Sequence, residues 1–261
     1  MKNIKLAMCQ MNVVADKKAN IHKAEQMIRA AAAEGANVIA LPEIWNSPYA
    51  VRHFRENSEE DGGATYTFMS EIAKELGIYL IGGSIPELCN DEVYNTSYSF
   101  NKEGELIGKH RKVHLFDVDI EGGISFRESD VFSPGDKTTV IETEYGNIGI
   151  AICFDVRFAE SFSNMKNVNL IVLPAAFNMT TGPAHWSLLT RMRALDNQVY
   201  FASVSSARDM SGHYQAWGHS MVANPWGEVM VMADETEQVL TVDLDLEYVK
   251  KVRRELPLGI E

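Results

Sequence analysis

Three strand-and-turn segments recur in the same order in the two halves of the 261-residue chain. NIKLAMCQ at 3–10 resembles NIGIAICF at 147–154. NVIALPEIWN at 37–46 resembles NLIVLPAAFN at 169–178. SYSFNKEGEL at 97–106 resembles SMVANPWGEV at 220–229. One such match means little, because strands draw on few residue types. Three in one order predict two related halves, pseudo-two-fold partners within a single domain over 1–261. The last pair carries an Asn-x-x-Gly turn in each copy, which suits a hairpin. Nothing between the halves reads as a linker or a low-complexity stretch.

Within each half, apolar strand-like runs alternate with amphipathic helices. IKLAMCQMNV reads as a strand, and KANIHKAEQMIRAAAAEG as a helix stopped by Gly35. NVIALPE is the next strand, ended by Pro42. TYTFMSEIAKELG is a second helix and IYLIGGSIPE a third strand. This order predicts an α/β fold with largely parallel strands.

A hydrophobic content of 46% is enough to fill a large core. The formal net charge of −12 argues against a nucleic-acid-binding protein, which needs a basic face. Cys9, Cys89 and Cys153 are an odd set without CxxC spacing, so neither a disulfide framework nor a structural zinc site is indicated. The first residues are too polar for a signal-peptide core, and no apolar run is long enough to span a bilayer. The expectation is a cytoplasmic protein without membrane or nucleic-acid partners.

Comparing the halves isolates the residues that the fold itself does not require. Glu43 corresponds to Ala175, and Lys112 to Glu235. Cys153 corresponds to Cys9, but Cys9 is followed by Gln10 and Met11 where Cys153 precedes Phe154, Asp155 and Arg157. A thiol becomes a useful nucleophile when one group removes its proton and another stabilises the charge that follows. Histidine is the usual helper, yet His110, His114, His185 and His219 show no local Cys–His signature, and the first pair lacks the HExxH helix pattern. Taken singly, Glu43 reads as readily as a solvated loop carboxylate, and Lys112 as one charge in a basic cluster.

Together, LPEIWNSPY, HRKVHLFD and ICFDVRFAE resemble the three signature segments of the nitrilase superfamily of carbon–nitrogen hydrolases, and the resemblance runs over essentially the whole chain. It implies a four-layer αββα sandwich, a homodimer, and a Glu–Lys–Cys triad that needs no metal or organic cofactor. In that triad Glu43 is general base and acid, Lys112 stabilises the transition state and Cys153 is the nucleophile. A second glutamate of the family falls on Glu128, where it would orient Lys112 and the substrate. The Phe154 backbone N–H would hold the oxyanion; relatives often have Tyr there, which leaves the N–H unaffected. Lys112 and the helix start after Cys153 would both favour negative charge on the sulfur.

The segments at 176–209 and 216–229 are most similar to the omega-amidase branch, whose members hydrolyse the terminal amide of 2-oxoglutaramate and 2-oxosuccinamate through a thioester. A substrate of that class needs a cation for its free carboxylate. Arg157, four residues past the nucleophile, is the candidate, with a structural ion pair to Asp155 or Glu160 as the other reading. Tyr49 would add a hydroxyl contact or merely pack. The stretch 116–128, FDVDIEGGISFRE, reads as a lid or as a plain acidic loop. A deaminated-glutathione amidase, an N-carbamoyl amidohydrolase, or a non-catalytic binding member are the alternatives. Relatives commonly carry a basic tail beyond the point where this sequence stops, which bears on the dimer and on substrate grip.

Overall fold

The computed structural model describes residues 3–212 and 214–259. In chain order the elements of the first half are β1 (Ile4–Gln10), α1 (Lys17–Ala33), β2 (Val38–Ala40), α2 (Val51–Phe54), α3 (Ala64–Leu76), β3 (Tyr79–Ile81), β4 (Ile85–Cys89), β5 (Glu92–Phe100) and β6 (Leu106–Arg111). A short hairpin follows, β7 (Asp117–Asp119) and β8 (Ser125–Arg127). Then come β9 (Thr139–Thr143), β10 (Gly146–Ile150), α4 (Ala159–Ser163), β11 (Val168–Ala175), α5 (Gly182–Asn197), β12 (Tyr200–Ser205), β13 (Met221–Ala223), β14 (Val229–Met232), β15 (Gln238–Leu244) and α6 (Leu246–Glu255).

The strands form two large sheets. One runs β15-β1-β2-β3-β5-β4, with β6 also paired to β5; the other runs β14-β13-β12-β11-β10-β9. β1, β2 and β3 are parallel, as are β10, β11 and β12, and antiparallel strands flank each trio. The parallel order expected from the sequence therefore holds for the centre of each sheet and not for its edges.

Side-chain alternation sets the layers. From β1, Leu6 and Met8 point into a core shared with Ile150, Leu170 and Val172 of the other sheet. Ala7 and Cys9 point the opposite way, against Ala24 and Ile28 of α1, where Met69 and Ile72 of α3 also pack. On the far side Ile171, Leu173 and Phe201 meet Phe162 of α4 and Trp186 and Ala194 of α5. Helix, sheet, sheet, helix is thus the observed stack, the four-layer αββα sandwich. No helix among the described residues is long and apolar enough to cross a membrane.

The internal symmetry extends to single hydrogen bonds. Asn101 Oδ1 accepts from the N–H groups of Glu103 and Glu105, and Asn224 Oδ1 from those of Trp226 and Glu228. Gly104 and Gly227 close the two turns at φ values of 78° and 79°. One prediction fails locally. The run IYLIGGSIPE is not one strand but two, β3 and β4, because Gly83 turns the chain at a φ of 62°. A Cβ at Gly83 would lie 2.1 Å from the Pro42 carbonyl oxygen, so only glycine permits that approach.

Candidate active site

The bend at 82–84 holds the turn that carries Glu43. Ser84 N–H donates to the Pro42 carbonyl at 3.0 Å, Ile44 N–H donates to Ser84 Oγ at 3.1 Å, and Trp45 Nε1–H donates to the Gly82 carbonyl at 2.8 Å. Glu43 is thereby fixed beyond the carboxyl end of β2, where parallel sheets present functional groups. It is 1% exposed. Its Oε1 accepts from Lys112 Nζ at 2.8 Å and from Asn95 Nδ2 at 2.8 Å. Its Oε2 receives no N–H or O–H donor among the described residues.

Lys112 follows β6 and is held at both backbone ends, its N–H donating to Asn95 and its carbonyl accepting from Gly135. The ammonium is fully buried and lies 2.8 Å from Glu43 Oε1 and 2.8 Å from Glu128 Oε2. Glu128 is pinned in turn by the Phe116 N–H at 2.7 Å and by the Tyr49 hydroxyl at 2.6 Å. Burial alone would lower the Lys112 pKa, but Glu128 and Glu43 outweigh it and hold the group well above its ordinary value, as an ammonium. Burial raises Glu43; Lys112 pulls it down, Glu128 pushes it up, and the net direction is upward.

Cys153 lies beyond the end of β10 in the left-handed region, with φ 42°. It opens a single 3₁₀ turn, Cys153–Arg157. Asp155 ties that turn down: Ile152 N–H donates to its Oδ2 at 3.0 Å, His114 N–H to its Oδ1 at 2.9 Å, and the rings of His110 and His114 flank it at 3.3 and 2.9 Å. Asp155 is thus a structural clamp, and the two histidines serve it. Burial pushes the Cys153 thiol well above its ordinary value, and Glu43 adds to the rise. Lys112 pulls the other way and loses. One 3₁₀ turn is too short for a substantial dipole, so the resting group is a thiol. The Glu43 carboxyl and the Ala176 backbone both lie close enough to the sulfur to bias it, Glu43 against the thiolate and Ala176 toward it. Cys9, its counterpart beneath α1, is pushed up to about 12 by burial alone.

Two cavities meet here. One of about 310 Å³ lies on the Glu43 side and includes Tyr49, Ser206 and Asp209 in its wall. The other, at Cys153, is only about 10 Å³ and is bounded by Phe116, Arg157, Phe177, Asn178 and Thr181. Ala176 and Tyr214 line both. Tyr214 stacks on Tyr49 with ring centroids 4.4 Å apart, and Phe126 from the β7–β8 hairpin packs on the same pair. The stretch 116–128 is therefore an ordered hairpin over the site.

Arg157 borders the thiol pocket. Its Nη2 meets His185 Nδ1 at 3.2 Å, and its guanidinium lies over Phe154 and Phe177. Its Nε is buried without a partner among the described residues. Among the described residues it pairs with no carboxylate, so neither Asp155 nor Glu160 takes it up. Tyr49 gives its hydroxyl to Glu128, with Glu43 Oε1 at 3.5 Å. Sequence reasoning did not single out Asn95, Ala176, Asn178 or Tyr214. Asn178 and Ala176 stood inside a quoted repeat, but nothing in it marked them.

The sequence model of the carbon–nitrogen hydrolase family matches residues 5–254. Omega-amidase NIT2 of Xenopus tropicalis is 49% identical over 260 residues, 99% of this chain and 94% of that protein. Omega-amidase NIT2 of Homo sapiens is 46% identical over the same shares of both chains. The crystal structure of Saccharomyces cerevisiae Nit3, described as a member of branch 10 of the nitrilase superfamily, superposes with a TM-score of 0.93 at 40% identity, covering 100% of this chain and 96% of that one.

Proposed function

The chain belongs to the carbon–nitrogen hydrolase family of the nitrilase superfamily, as an amidohydrolase, and from that premise we propose that it removes the terminal amide of short dicarboxylic monoamides such as 2-oxoglutaramate and 2-oxosuccinamate. The observation that carries the substrate class is Arg157, a cation with no carboxylate partner among the described residues, on the wall of the thiol pocket. A half-buried guanidinium in that state suits a ligand that brings its own carboxylate.

In this reading Glu43 takes the proton of Cys153 as the sulfur attacks the amide carbon. The oxyanion that forms is held by the Lys112 ammonium and the Phe154 N–H. Glu43, raised by burial, keeps the proton long enough to give it to the departing nitrogen, and ammonia leaves a thioester. Glu43 then draws a proton from water, the hydroxide attacks the thioester, and the sulfur leaves with that proton. Glu128 orients Lys112. The bonds of the Tyr49 hydroxyl support a positioning role for it, through both acids. Arg157 sets the distance between carboxylate and scissile amide.

The reading also takes the chain as one domain, a view supported by β15, which comes from the second half and joins the first sheet. It takes the protein as a homodimer. Leu188, Met192 and Leu195 are exposed on one side of α5, and the Arg191–Gly227 bond sets exposed Trp226 alongside. Such a patch suits burial against a second copy.

Ammonia release from a substrate panel tests the function. The expected order places 2-oxoglutaramate and 2-oxosuccinamate well above a neutral amide of equal length, an N-carbamoyl amino acid and deaminated glutathione. A preference for either of the last two would replace the substrate assignment.

A further inference from the structure

Asn178 lies between β11 and α5, and its amide is fixed from one side. Oδ1 accepts from the Thr180 N–H at 2.9 Å and from the Thr181 N–H at 3.0 Å. Backbone donors can only face the oxygen, so Nδ2 must point the other way. The residue is 5% exposed, and Nδ2 is buried with no acceptor among the described residues. The Tyr214 phenol, which donates to the Ala176 carbonyl, is close enough to feel this amide, but Nδ2 completes no hydrogen bond with it.

A buried donor left open calls for an explanation. Asn178 lines the Cys153 pocket with Arg157, whose Nε is also buried and open. The two donors come from different elements, and among the described residues no acidic side chain borders that pocket. Whatever fills it must supply acceptors in two places.

We propose that Asn178 Nδ2 is a specificity-determining donor to the oxygen on the carbon beside the substrate carboxylate, selecting 2-oxo monoamides over 2-amino ones. The inference rests on the reading in which Arg157 takes that carboxylate. A 2-oxo group offers only lone pairs and satisfies the amide. A methylene leaves Nδ2 desolvated and empty. An α-ammonium offers only N–H donors beside a second donor and a guanidinium, and is repelled. The expected order is oxo, then methylene, then ammonium, with about tenfold or more between the first two.

The test compares kcat/KM for 2-oxosuccinamate, succinamate and asparagine, which share chain length and terminal amide and differ at one carbon. Asn178→Asp keeps an oxygen for the Thr180 and Thr181 N–H groups and replaces the donor with an acceptor. Asn178→Ser keeps a hydroxyl able to cap the same turn and removes the donor without adding charge. In both, the oxo-to-methylene ratio should fall toward one, and Asn178→Asp should gain on asparagine relative to 2-oxosuccinamate. An unchanged ratio with both rates falling together would overturn the proposal and leave Asn178 a cap for the turn before α5. A wild-type enzyme that hydrolyses none of the three would instead overturn the monoamide reading beneath it.

Discussion

The thiol of Cys153 lies beside the Glu43 carboxyl, whose Oε2 receives no N–H or O–H donor among the described residues. Oε1 is occupied by Lys112 and Asn95, so one oxygen anchors the acid and the other stays open, as the proposed proton transfers require. Glu43→Gln keeps the anchor and should lower kcat by roughly 10²–10⁴-fold. Cys153→Ala should remove amide hydrolysis altogether. Both variants should melt within a few degrees of wild type, by circular dichroism. Folded variants with wild-type ammonia release would refute the roles given to these two residues.

Lys112→Met tests the charge itself. Removing the ammonium leaves Glu43 and Glu128 facing each other in a dry site, so stability should fall as well as activity. Glu128→Gln beside it removes one carboxylate and separates the two effects. Loss of kcat in the folded fraction of Lys112→Met is the expected result. A change confined to KM would mean that the lysine only binds substrate.

Arg157→Lys should already weaken turnover of the acidic amide, because an ammonium cannot make the two-pronged contact. Arg157→Ala should cost on the order of 2–5 kcal/mol in kcat/KM for that substrate. The loss on a neutral amide of the same length should be far smaller. Equal losses on charged and neutral amides would remove the carboxylate clamp.

Asp155 gives a pH signature to stability. Burial alone would raise its pKa, but the bonds from His110, His114 and the Ile152 N–H outweigh burial and hold it well below the usual carboxylate range. A depressed folded-state value stabilises the protein above the unfolded pKa of about 3.9 and loses that contribution as pH falls further. Asp155→Asn should therefore lower Tm strongly at neutral pH, and the gap to wild type should narrow below about pH 4. A gap independent of pH would show that the ionised form is not what holds the turn.

Leu188→Glu combined with Met192→Glu places two charges on the exposed stripe of α5. If that stripe is the dimer contact, light scattering should show the mass halved while circular dichroism stays unchanged. A dimer that survives both charges would move the interface elsewhere.

Much of this arrangement is readable before any coordinates. The repeats gave the sheet centres because apolar runs and turn glycines are local signals. Glu43 and Lys112 stood out because the other half of the chain carries different residues at those places, and Cys153 because its counterpart Cys9 is followed by Gln10 and Met11 and not by a charged pair. The split of β3 from β4 was not visible, since it depends on how closely Gly83 approaches Pro42, and Pro42 lies far away in sequence. Asn95 and Asn178 were silent for a related reason. An asparagine in a strand or a turn is ordinary until the neighbour that takes one side of its amide is known. The partners of Arg157 were equally illegible: its spacing from Asp155 allowed an ion pair, and only the geometry shows His110 and His114 at that acid.

The pairing of β1 with β15 has a consequence for how the protein is made. β1 leaves the ribosome long before β15, the strand that covers its outer edge. Until then the first sheet exposes an open apolar edge, the kind of surface that recruits other strands. The first sheet cannot close until β15 has been made, and the high sequence separation of that contact makes the closing step slow. Truncation ahead of β15 should therefore yield aggregates rather than a smaller enzyme.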